Sequence, residues 1–107
     1  MINIIDNKGI KDIVKSTIPN LHLKKIILFG SRARSDFVTE SDYDILIILK
    51  DKLSLQEKRK VSSLLRKAFA IKFIDADIIV KNGNEIKSYK KKYGSVVKNA
   101  LEEGVLI

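Results

Sequence analysis

The sequence predicts an α/β (α+β) protein: a small mixed β-sheet with helices packed mainly on one face. Three observations carry that expectation. Apolar, β-branched runs end at turn residues in several places: Lys24–Phe29 stops at Gly30, and Phe73–Val80 stops before Asn82-Gly83. A third run, Tyr43–Leu49, is apolar almost without interruption. After it, Ser54-Leu55-Gln56-Glu57 has capping-box spacing, and Val61, Leu64, Leu65, Ala68 and Phe69 recur at helical intervals on one face. Strands therefore alternate with amphipathic helix within 107 residues, the length of one domain spanning 1–107.

In chain order, an opening helix runs from about Ile10 to Thr17 and is ended by Pro19-Asn20. The first strand, Lys24–Phe29, follows. Ser31 can cap a short helix over Arg32–Asp36, and a polar loop through Thr39, Glu40 and Ser41 leads into the second strand, Tyr43–Leu49. The helix beginning at Ser54 delivers the third strand, Phe73–Val80. Asn84 is then placed to cap a last helical region reaching Glu103, with a break near Gly94 and a stop at Gly104. Val105–Ile107 suits a short edge strand.

Composition narrows the function classes. Cysteine is absent, which removes disulfides and thiolate metal sites and fits a reducing compartment. Asp6, Asn7 and Lys8 interrupt the apolar start, no run approaches the ~18 residues of a membrane span, and a cytoplasmic location is the expectation. A net charge of +8 attracts polyanions: nucleotides, nucleic acid or an acidic protein. Part of that excess, Lys87 with Lys90, Lys91 and Lys92, reads as a solvated helix face, so direct nucleic-acid binding stays open. His22, the sole histidine, has no partners at metal-ligand spacing and suits a loop.

The chemistry is concentrated in "GSRARSDFVTESDYDILIIL", residues 30–49. Side chains alternate along a strand, so Asp42 and Asp44 point the same way, about 6–7 Å apart, and can share a cation. Hard carboxylate oxygens suit Mg²⁺ or Mn²⁺. A Ser-Asp pair before a strand is also an ordinary turn former. The third strand repeats the pattern with Asp75 and Asp77, and buried strands rarely carry unpaired acids. If the two strands are neighbours, one of these completes a three-carboxylate cluster. Gly30 permits close backbone approach, Ser31 adds a hydroxyl donor, and Arg32 and Arg34 add charge, a combination suited to holding phosphates.

Gly30-Ser31 followed after ten residues by Asp42-Tyr43-Asp44-Ile45 resembles the signature of the DNA polymerase β-like nucleotidyltransferase superfamily. "LFGSRARSDFVTESDYDILI" and the small size are similar to its minimal nucleotidyltransferases, the MNT-domain proteins. The resemblance implies the polymerase β-like fold, ATP as substrate, and Mg²⁺ or Mn²⁺ as cofactor. It implies that Gly30 and Ser31, with Arg32 beside them, bind the nucleotide. It makes Asp42, Asp44 and a third acid the catalytic, metal-binding set. The third is placed at Asp77, which directly precedes Ile78-Ile79-Val80, with Asp75 as the alternative. It further implies a HEPN-type toxin as partner, an antitoxin role, and transfer of AMP from ATP to a protein hydroxyl. The competing expectation is a non-catalytic basic module that binds RNA or neutralises an acidic partner.

Overall fold

The structure, a computed structural model, describes residues 5–30, 32, 42–89 and 96–107. Four strands form one mixed sheet in the order β3-β2-β1-β4. β1 (Leu23–Phe29) runs antiparallel to β2 (Tyr43–Leu49) and to the edge strand β4 (Val105–Leu106), while β3 (Ala76–Asn82) runs parallel to β2. The helices are α1 (Asn7–Thr17), α2 (Leu55–Ile71), α3 (Gly83–Tyr89) and α4 (Val96–Glu103). The parallel β2–β3 pair is possible because α2 makes the crossover between them.

Strand alternation sorts the apolar residues into two layers. Tyr43, Ile45, Ile47 and Leu49 of β2 point into the larger core, against Ile10 and Val14 of α1 and Leu65 and Phe69 of α2. Leu46 and Ile48 point the other way, against Ile86 of α3 and Val97 and Ala100 of α4. The two longer helices thus share one face, as expected, and the two short ones cover part of the other. β2 is covered on both sides, which is why it reads as a solid apolar block. Among the described residues no helix is long and apolar enough to cross a membrane.

The element ends show where local signals compete. β2 and the Ser54–Glu57 capping box lie where the sequence places them, with both reciprocal bonds formed. α1 starts earlier than expected because Asp6 accepts the Gly9 N–H at 2.7 Å and caps it. β3 starts at Ala76 rather than Phe73, since α2 continues to Ile71 and the chain then turns through Phe73 at φ 60, leaving that ring 75% exposed. Leu64 lies off the buried stripe and is exposed. Asn82, not Asn84, caps the next helix: its Oδ1 accepts from Glu85 N at 2.9 Å while Glu85 Oε1 accepts from Asn82 N at 3.1 Å. The expected Arg32–Asp36 helix, the Thr39–Ser41 loop and the break near Gly94 lie outside the described residues, Arg32 excepted. Gly104 N donates to Ala100 O and ends α4.

Candidate active site

The register of three adjacent strands builds the site. Phe29, the last residue of β1, pairs with Asp44, and Asp44 pairs with Asp77 across the parallel β2–β3 ladder. Neighbouring strands lie about 4.8 Å apart, so the backbone sets these two residues, though not their carboxylates, side by side. Both lie on the sheet face of Leu46, Ile48 and Ile79, at the end where β2 and β3 begin. Asp42 precedes β2 directly and is exposed; Asp44 is half-buried. Asp75 contributes its carbonyl, which accepts the Tyr43 N–H at 2.9 Å and aligns the starts of β2 and β3.

Gly30 closes the site from the β1 side. Its φ of +71 lies in the left-handed region, and a Cβ there would collide with the carboxylate of Asp44. Backbone and acid therefore share a space that admits only glycine. Ser31, expected to bind phosphate, lies outside the described residues, as does Arg34.

Arg32 is buried, with its guanidinium stacked 4.3 Å above the centre of the Tyr43 ring. Tyr43 points into the larger core, away from Asp42 and Asp44, and its hydroxyl is fixed by the backbone of Ile5, accepting the Ile5 N–H at 3.1 Å. The tyrosine between the two aspartates is thus a positioning residue that reading for carboxylates alone passes over. Its signal was a polar-tipped aromatic at an inward strand position.

The donor set consists only of carboxylate oxygens, the chemistry that Mg²⁺ and Mn²⁺ prefer. Asp77, however, is exposed and its carboxylate lies 4.0 Å from the Arg66 guanidinium. Among the described residues no three acidic, histidine or cysteine side chains converge closely enough to hold a metal ion. The backbone brings the acids together; their side chains are not yet gathered.

With this geometry in view, the profile of the family described as Polymerase beta, Nucleotidyltransferase matches residues 8–107. The chain belongs to that nucleotidyltransferase family. A Methanocaldococcus jannaschii protein named "Putative protein adenylyltransferase" is 37% identical over 89 residues, covering 83% of this chain and 84% of that relative. A toxin-antitoxin crystal structure with AMP-PNP shares the fold at a TM-score of 0.61 and 21% identity, over 95% of this chain and 72% of that one. A tri-AMPylated Shewanella oneidensis HEPN toxin in complex with MNT antitoxin matches at 0.50 and 21%, over 92% and 66%. The fold expected from the Gly30-Ser31 and Asp42-Tyr43-Asp44 motif is the fold observed, and the chain is a nucleotidyltransferase by family.

Proposed function

We propose that this nucleotidyltransferase transfers AMP from ATP, with a divalent metal, to a hydroxyl of a partner protein, and that the partner is a HEPN-type toxin which the transfer neutralises. The observation that carries the reading is the abutment of the Gly30 turn on Asp44, itself in register with Asp77. The turn that this reading gives to phosphate abuts one acid, whose register neighbour on β3 is the second. The name of the Methanocaldococcus relative and the AMP-PNP and AMPylated complexes among the structural neighbours support the choice of nucleotide and acceptor.

In this reading the left-handed turn at Gly30, with Ser31, receives the triphosphate through backbone N–H groups, since no side chain stands between backbone and ligand. Asp42 and Asp44 would hold Mg²⁺, and Asp77 would join them on leaving Arg66, an exposed contact weak enough to be exchanged. When bound, the metal would supply positive charge against the triphosphate and the displacement. The acceptor hydroxyl oxygen attacks the α-phosphorus, the bond to the bridging oxygen breaks, pyrophosphate leaves, and Asp77 is placed to take the hydroxyl proton. Arg32, committed to the Tyr43 ring, holds the turn in place from below and contributes its charge through the protein.

The test is to purify the protein with its co-expressed partner and weigh the partner after incubation with ATP and Mg²⁺. A gain of adenylyl units that disappears with Asp42→Asn is the expected result. An unmodified partner that is still inhibited by the Asp42→Asn protein would mean neutralisation by binding alone. Nucleotides added to an RNA 3′ end would overturn the acceptor and keep the transfer.

A further inference from the structure

Six residues of strand, ~20 Å, separate the aspartates from the opposite end of the sheet. There, lysines from three elements surround a cavity of about 310 Å³: Lys24 from β1, Lys50 just after β2, and Lys87 from α3, with the side-chain amides of Asn82 and Asn84. A smaller recess of about 140 Å³ adjoins it, shares Lys24 and Lys87, and adds Lys25.

This convergence is built into the strand geometry. Consecutive residues of β1 should face opposite sides of the sheet, yet Lys24 and Lys25 line the same recess. The cause is an irregularity in the β1–β2 ladder: Leu23 pairs with Leu49 and Lys25 with Ile48, so two residues advance β1 where β2 advances one. Such a bulge re-aims a side chain, here that of Lys24. Gly83 accommodates the result, since a Cβ at that position would come within 3.2 Å of the Lys24 ammonium.

The charge of the cavity is not cancelled. Among the described residues Lys24, Lys25, Lys50 and Lys87 form no ion pair. The acid next to Lys50 in sequence, Asp51, is occupied: its two oxygens take the His22 N–H at 2.6 Å and the His22 ring nitrogen at 3.0 Å. These lysines are exposed, so solvent softens their mutual repulsion, and an anion in the cavity is attracted by all of them at once.

We propose that this cavity is a second, metal-independent site for a polyphosphate chain, two or three linked phosphate groups. Ammonium groups act as point charges on phosphate, whereas recognition of carboxylates favours the planar fork of arginine, and among the described residues no arginine lines the cavity. Among the described residues no aromatic ring lines it either, so a nucleobase finds no stacking partner among them. Among the described residues the lysines converge on one volume from three elements, which fits linked phosphates better than an extended nucleic-acid backbone or an acidic helix. The site stands whether or not the transferase reading holds.

Calorimetry with inorganic tripolyphosphate, in EDTA and about 0.15 M salt, tests it. The expected result is one bound tripolyphosphate per chain, weakened about tenfold or more by the double change Lys24→Gln and Lys87→Gln. Lys60→Gln, on the exposed side of α2, and Asp42→Asn, at the other end of the sheet, should leave the affinity within about twofold. Circular dichroism confirms that the double variant is folded, and Lys50→Gln provides a second readout. ATP binding no tighter than tripolyphosphate assigns recognition to the phosphates alone; ATP binding tighter makes a nucleotide the source of the chain; both keep the site. Equal weakening by Lys60→Gln, or loss with Asp42→Asn, overturns it. So does displacement of tripolyphosphate by polyglutamate or by a single-stranded oligoribonucleotide at equal charge, which would make the cavity a docking point for an acidic protein or for RNA.

Discussion

Gly30 shows how much one residue constrains. A methyl group there meets two separate obstacles, a backbone angle of φ +71 and the carboxylate of Asp44. The left-handed conformation alone costs a non-glycine residue about 1–2 kcal/mol, and the collision adds to it. Gly30→Ala is therefore expected to lower unfolding stability by roughly 2 kcal/mol and to abolish transfer, measured by denaturant titration beside the mass assay. Transfer at the normal rate would show that the turn does not touch the nucleotide. Asp75 and Asp77 separate in the same assay. Asp77 shares a register position with Asp44, while Asp75 serves β2 through its carbonyl, which an Asn retains. Asp77→Asn should eliminate transfer and Asp75→Asn should leave most of it; the reverse order would move the third carboxylate to Asp75.

At the scale of elements, sequence legibility followed the number of signals that agreed. β2 is a continuous apolar run with a polar residue at each end, and its bounds were readable to the residue. The Ser54 capping box was readable because a local hydrogen-bond pattern decides it. β3 was not, since Phe73 looks like a strand residue and only the left-handed turn, a tertiary outcome, puts it in solvent. The adjacency of Asp44 and Asp77 needed only that their two strands be neighbours, as they are, whereas the Arg32–Tyr43 stack depends on a fold-back that no spacing reports. The cap of α3 was likewise misread by two residues, and that cap carries a pH signature. Burial raises the Glu85 carboxyl, but the Lys58 hydrogen bond at 2.7 Å, the Asn82 N–H and the charges of Lys58 and Lys81 together hold it below its ordinary value of 4.5. Because the folded state depresses this group, its stabilisation is present above the unfolded value and is lost as the pH falls below about 4.5 and through the folded value. Melting temperatures of Glu85→Gln should lie below wild type near neutral pH and converge with it in acid. A constant difference across that range would mean that the charge of Glu85 contributes nothing.

For the whole molecule, the two ends of the sheet make opposite demands on metal. In the proposed reading the acid end offers Asp42, Asp44 and Asp77 to a ligand that is itself an anion, so nucleotide binding there needs a cation between them. The lysine end needs none. Binding only the folded state at a hundred times Kd stabilises by about 2.7 kcal/mol, and each kcal/mol moves the midpoint of a chain this size by roughly 4–8 °C. ATP with Mg²⁺ should therefore raise the melting temperature of the wild type by on the order of 10 °C at that saturation. Asp42→Asn should lose most of that rise, because one of the proposed ligand carboxylates is removed. ATP in EDTA should still give a smaller rise, unaffected by Asp42→Asn and removed by Lys24→Gln with Lys87→Gln. Combining the substitutions should leave no response to ATP under either condition. Equal rises with and without metal in the wild type would instead place all nucleotide binding on the basic end and leave the three aspartates without the ligand their register implies.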